Sequence, residues 1–188
     1  MFMLQFLIMA EDKKFIVFDR DGTLVKHIPY LCDPRLIELL PGVKDSLTYL
    51  KSKGFSLFLH TNQSGVARGY FDIADVESCN KRMIELLELG EDVFEDVCIA
   101  TDFPPGKITM RKPSPSFGLA LIKKYNIDLA KLYYIGDSIV EIETGKNLKC
   151  TSLGVNTGKF NLESMLESRT DLDAKVYSNL TELIQSNF

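Results

Sequence analysis

The 188-residue sequence carries 22 Lys and Arg against 26 Asp and Glu, a net charge of −4, with 45% hydrophobic and 26% charged residues. That length fits one domain, residues 1–188, with a substantial core. The acidic balance excludes the basic field that a nucleic-acid binder needs, so an anionic small molecule must be held by local donors.

In chain order, Met1–Met9 is apolar but lacks a basic flank and a small-residue cleavage site, and it is too short to span a membrane. Residues 1–8 read as an extension, disordered or lying on the surface. Phe15-Ile-Val-Phe18 is an unbroken apolar run, the pattern of a fully buried strand. It stops at Asp19; Asp21 follows, and Gly22 permits a sharp turn. A loop with Pro29 and Pro34 comes next, with a helical turn expected within residues 33–40. Helical spacing over 43–53 places Val43, Leu47 and Leu50 on one face, and Gly54 sits where a helix end wants it. Residues 56–60 form the second strand, and 63–70 a glycine-bearing loop. Asp72 caps a helix running to about residue 89, closed by Gly90.

The third strand is expected over 93–100, followed by a Pro- and Gly-rich loop to Pro115. Residues 116–125 are helical, with Phe117, Leu121 and Ile122 buried; 132–135 form strand four, 139–148 a helix and 151–155 strand five. A short sixth strand over 174–177 and a closing helix through Leu180 and Ile184 complete the chain. Alternating strands and helices predict an α/β fold, a parallel sheet with helices on both faces.

Four polar clusters fall at strand ends or helix starts on one sheet edge: Asp19-x-Asp21, Thr61-Asn62-Gln63-Ser64, Arg111-Lys112-Pro113, and Gly136-Asp137 with Glu141. Open α/β sheets place their sites on that edge. Taken singly, each has a structural explanation: a turn, a cap or a solvated lysine. Together they supply the parts of phosphoryl transfer. These are a nucleophilic carboxylate, a second carboxylate to carry a proton, oxygen ligands for a hard cation, and donors for phosphate oxygens.

These motifs resemble those of the haloacid dehalogenase (HAD) superfamily of phosphohydrolases, over nearly the whole chain from about residue 14. Asp-Arg-Asp-Gly-Thr-Leu, the run 61–71 and Arg-Lys-Pro (111–113) are similar to the D-glycero-D-manno-heptose 1,7-bisphosphate phosphatases, with histidinol-phosphate phosphatases as relatives that share parts of them. The resemblance implies a Rossmann-like sheet of order 5-4-1-2-3 with a minimal cap. It implies Asp19 as nucleophile and Asp21 as acid and base. Thr61 and Lys112 would stabilise the phosphoryl group, and Asn62, Gln63, Ser64, Arg68 and Arg111 would contact substrate. Mg²⁺ would be held by Asp19, the main-chain carbonyl of Asp21, and Asp137, with Glu141 behind them.

The family's zinc loop is a departure. The region 98–110 offers Cys98 and no His, too few ligands for a structural zinc, so none is expected and Cys98 reads as an apolar strand residue. Cys32, Cys79, Cys98 and Cys150 form no C-x-x-C and read as free thiols of a reducing compartment, pointing to a cytoplasmic protein. His60 reads as a structural histidine at a strand end; His27 and Tyr30, in the loop after the first turn, are candidate substrate contacts that no motif spacing marks. The leading expectation is a Mg²⁺-dependent phosphatase of a small sugar phosphate, a heptose bisphosphate first, acting as a monomer or weak oligomer without nucleic-acid or membrane partners. The alternatives are a histidinol-phosphate or other small-molecule phosphatase, and a silent binding module that keeps the fold.

Overall fold

The computed structural model describes residues 13–188; the expected extension over 1–8 lies outside them. Six parallel strands make one sheet: β1 (Phe15–Phe18), β2 (Ser56–Asn62), β3 (Asp96–Ala100), β4 (Leu132–Gly136), β5 (Thr151–Val155) and β6 (Lys175–Tyr177), in the order β3-β2-β1-β4-β5-β6. This is the expected 5-4-1-2-3 order with β6 added beyond β5. The central register pairs Val17 with Phe58 of β2 and Tyr134 of β4.

β1 is apolar throughout because both its faces are covered. Ile16 and Phe18 pack with Leu47 and Leu50 of α1 (Val43–Ser52), Met83 of α3 (Ile73–Leu87) and Leu183 of α7 (Leu180–Asn187). Phe15 and Val17 face the other way, towards Phe117 and Leu121 of α4 (Ser116–Tyr125) and Leu148 of α5 (Ile139–Leu148). Residues 19–42 hold only a 3-10 turn, Pro34–Leu36, before α1, and residues 101–115 form no helix or strand.

Several boundaries differ from expectation. β3 starts at Asp96, since Val93 and Phe94 are buried in the core without joining the ladder. The 63–70 segment holds a one-turn helix, α2 (Ser64–Ala67). α3 ends at Leu87, and Glu88 adopts the left-handed backbone at φ 55° two residues before Gly90. A further helix, α6 (Leu162–Glu167), was not expected; the Asn161 side chain caps it by accepting the Ser164 N–H at 2.8 Å. The four cysteines are unpaired. Among the described residues no helix is long and apolar enough to cross a membrane.

Candidate active site

β1 carries the first two acids to the carboxyl edge of the sheet. The Asp19 N–H bonds the Ile135 carbonyl at 2.9 Å, extending the β1–β4 ladder by one residue before the chain turns. Gly22, at φ 92°, makes that turn, and its N–H bonds the Val25 carbonyl at 2.7 Å. Asp137 leaves the neighbouring strand at the same level, with Thr23 Oγ1 at 3.4 Å from its Oδ1. A Cβ at Gly22 or Gly158 would strike the Asp137 carboxylate, so both glycines keep that space clear. Gly158 is a site position that the sequence alone did not single out.

Lys112 crosses into this acid group. Its Nζ lies 2.5 Å from Asp19 Oδ1 and 2.7 Å from Glu141 Oε1, with the side chain almost wholly buried. Burial works against the ammonium, but Asp19 and Glu141 outweigh it and hold Lys112 above its ordinary pKa. One cation does not neutralise three buried acids. Burial, partly offset by Lys112 and reinforced by Glu141 and Asp21, pushes Asp19 up to about 7. Burial with the charges of Asp19 and Glu141 pushes Asp137 up to about 8. Glu141 Oε2 is buried without a hydrogen-bond partner.

Asp21 is held from three sides. Gln63 Nε2 donates to its Oδ2 at 2.9 Å and to Thr61 Oγ1 at 2.8 Å, and Thr61 Oγ1 stands 3.4 Å from the same carboxylate oxygen. Arg20 forks onto both oxygens at 3.1 Å. The Gln63 amide, read from sequence as a substrate contact, therefore has protein partners inside the site.

The loop before Lys112 is fixed almost residue by residue. Asn62 Oδ1 accepts the Lys112 N–H at 2.9 Å, and its Nδ2 donates to the Lys112 carbonyl at 3.1 Å. The His60 Nε2 is 2.8 Å from the Met110 carbonyl, an acceptor, so Nε2 carries the proton and Nδ1 accepts from the Tyr134 hydroxyl at 3.0 Å. Burial and the charge of Lys112 push His60 down to about 3, in line with the structural role expected of it. Asp102 Oδ2 gathers the N–H groups of Thr109, Met110 and Arg111 and the Thr109 hydroxyl. Partial burial opposes its charge, but these donors hold it well below the ordinary carboxylate range. Nothing in the sequence marked Asp102 apart from its place in a Pro- and Gly-rich loop.

Asp19, Asp21, Thr61, Asn62, Asp137 and Glu141 line a cavity of about 220 Å³, completed by His27, Ser138, Val140, Lys159, Phe160 and Met165. A second hollow of about 300 Å³ shares Asp21, His27, Asn62 and Lys159 and adds Tyr30, Gln63 and Ser64. Lys159, Phe160 and Met165 lie in and after the β5–α6 connection and were missed from sequence. Arg68 and Arg111 border neither hollow. The Arg68 guanidinium stacks 3.5 Å above the Phe103 ring, and Arg111 has Nη1 buried without a partner. Burial and the nearby charge of Arg68, partly offset by Asp102, lower the pKa of Arg111. A hollow of about 720 Å³ against α3 and the edge strand β3, larger than either of these, contains none of the four clusters.

The donor set fits a hard divalent cation. Asp19 and Asp137 are oxygen donors whose raised pKa values mark negative charge that the single ammonium of Lys112 leaves uncompensated, the kind of site a hard cation relieves. Among the described residues no three His, Cys, Asp or Glu side chains are grouped closely enough to hold a metal ion by themselves.

The acids at the ends of β1 and β4, the buried lysine between them and the hydroxyl and amide donors after β2 meet the requirements of phosphoryl chemistry. The haloacid dehalogenase-like hydrolase family model matches residues 30–149. The D-glycero-beta-D-manno-heptose-1,7-bisphosphate 7-phosphatase of Haemophilus ducreyi is 32% identical over 92% of this chain and 97% of its own. That of Pseudomonas aeruginosa is 30% identical over 78% and 83%. The crystal structure of D,D-heptose 1,7-bisphosphate phosphatase from B. bronchiseptica, complexed with magnesium and phosphate, is similar at a TM-score of 0.82, with 27% identity over 92% of this chain and 97% of that one. The chain belongs to the haloacid dehalogenase-like hydrolases. Within that family it is a phosphatase.

Proposed function

We propose that the protein hydrolyses a small sugar phosphate through an aspartyl-phosphate on Asp19, with Mg²⁺, and that the substrate is a heptose 1,7-bisphosphate. The observation that carries the chemistry is Lys112 Nζ on Asp19 Oδ1 at 2.5 Å, beside Asp21. A lysine there opposes the effect of burial and favours the ionised, nucleophilic form of Asp19, and it draws negative phosphoryl oxygens towards it. Asp19, the Asp21 carbonyl and Asp137 would hold Mg²⁺, which would supply charge neutralisation for the phosphoryl group.

In the first step an Asp19 oxygen attacks phosphorus, the bond from phosphorus to the sugar oxygen breaks, and Asp21 gives its proton to that oxygen. In the second, the Asp21 carboxylate takes a proton from water. The resulting hydroxide attacks phosphorus, and the acyl-phosphate P–O bond breaks to free Asp19 and inorganic phosphate. Thr61 and Lys112 donate to the phosphoryl oxygens, while Gln63 and Asn62 hold Asp21 and Lys112 in place.

The bisphosphate reading is supported by the named relatives and by Arg68 and Arg111, two nearby cations of which Arg111 has a buried Nη1 with no protein partner that an anion would satisfy. Histidinol phosphate brings an ammonium to that end and is disfavoured by the same pair. Phosphate release from a heptose 1,7-bisphosphate, a hexose monophosphate and histidinol phosphate, with and without Mg²⁺, tests the proposal. It fails if histidinol phosphate has the highest kcat/KM, or if Mg²⁺ makes no difference.

A further inference from the structure

Arg20 lies between the two acids in sequence, and its side chain is wholly buried. A guanidinium is always charged and is costly to bury unless its donors are matched. Here the match is specific. Nε reaches Asp21 Oδ2 and Nη2 reaches Asp21 Oδ1, both at 3.1 Å, and Nη1 donates to Asn80 Oδ1 at 2.8 Å. Asn80 is itself buried, on the middle turn of α3, away from the acids at the sheet edge. An apolar side chain at position 20 would fill the space under α3 without this cost. Arg20 instead makes a rigid link from the helix to one carboxylate.

We infer that Arg20, anchored by Asn80, is the positioning residue for Asp21: it fixes the plane of that carboxylate so that its proton meets the leaving oxygen. This rests on Asp21 acting as the acid, as proposed above. A two-point fork from a buried anchor stops rotation of the carboxylate, which a single donor such as Gln63 Nε2 does not. Proton transfer requires the acid within hydrogen-bond reach of the accepting oxygen, so a carboxylate free to turn loses rate even where it keeps its proton.

A purely structural arginine would not discriminate between leaving groups. A sugar alcohol needs a proton as it leaves; p-nitrophenolate does not. Arg20→Lys keeps the charge and loses the fork, and Asn80→Ala removes the anchor without touching Asp21. Each variant should lower kcat/KM on a sugar phosphate by about 10-fold or more, against less than about 3-fold on p-nitrophenyl phosphate, a fraction of the roughly 100- to 10,000-fold that a positioned acid supplies. kcat/KM reports the step in which the leaving group departs, so the shared hydrolysis of the intermediate does not blur the comparison. Thermal melts identify a variant that fails to fold, and Asn80→Ala keeps the test open if Arg20→Lys does. Equal losses on both substrates, or none on either, overturn the inference. Asp21→Asn run alongside separates the two levels: if it shows no substrate discrimination, the acid assignment itself fails and the Arg20 inference falls with it. If Asp21→Asn discriminates and the Arg20 and Asn80 variants do not, only the positioning role is refuted.

Discussion

Asn62 grips the backbone of Lys112 on both sides, accepting its N–H at 2.9 Å and donating to its carbonyl at 3.1 Å. This amide pair joins the end of β2 to the loop that brings the lysine onto Asp19. Asn62→Ala should therefore act through Lys112. Two lost hydrogen bonds near a buried charge are worth about 1–3 kcal/mol, or roughly 5- to 150-fold. The loss should appear in kcat, alongside a larger fall of the same kind for Lys112→Ala. A rise in KM at constant kcat would make Asn62 a substrate contact instead.

His60 should leave a signature in stability against pH. Its folded pKa is depressed to about 3, while an unfolded histidine titrates near 6.5. Below 6.5 the unfolded chain takes up a proton that the folded one refuses. The stabilising contribution of neutral His60 is thus present above about pH 6.5 and lost as pH falls towards 3, by at most about 1.4 kcal/mol per pH unit. The raised pKa values of Asp19 and Asp137 act oppositely, since the folded state binds their protons more tightly. Chemical denaturation of wild type and His60→Gln between pH 4 and 8 isolates the histidine by difference. Parallel curves would contradict its burial as the neutral ring.

As the proposed Mg²⁺ ligands, the same two acids should set the pH dependence of metal binding. In the metal-free protein Asp19 titrates at about 7 and Asp137 at about 8. A cation must displace those protons, so Mg²⁺ affinity should rise between pH 6 and 8.5 with proton release on binding. Calorimetry in two buffers of different ionisation enthalpy measures the protons released. Affinity independent of pH over that range would rule out these acids as the ligands.

Arg68 is exposed and stacked on Phe103 rather than buried in the cavity, so its loss should be a matter of binding. Arg68→Ala should raise KM for a sugar bisphosphate about 30- to 150-fold, the worth of a charged contact of about 2–3 kcal/mol, and change KM for the matching monophosphate little. Equal effects on both substrates would remove Arg68 from any second-phosphate role.

Much of this was legible in the sequence, for identifiable reasons. The apolar run 15–18 gave the central strand, and the alternation of strands and helices gave a parallel sheet whose carboxyl edge gathers Asp19, Thr61 and Asp137. What stayed hidden depends on partners far apart in the chain. Asn80 lies in an ordinary helix interior and meets Arg20 only after α3 docks on β1. Gly158 is required by the position of the Asp137 carboxylate, and Lys159 enters the cavity because β5 lies beside β4. Asn62 and Gln63 were placed in the site, but their hydrogen bonds to Lys112 and Asp21 follow from three-dimensional contact that the motif does not encode.

In the proposed reaction Asp19 forms the bond to phosphorus. Phosphate release from a sugar bisphosphate by Asp19→Asn, with saturating Mg²⁺ and a thermal melt of the same sample, tests it most directly. The amide does not form the acyl-phosphate, so turnover should vanish while the melt shows a folded protein. Turnover near the wild-type rate from the folded variant would contradict the account.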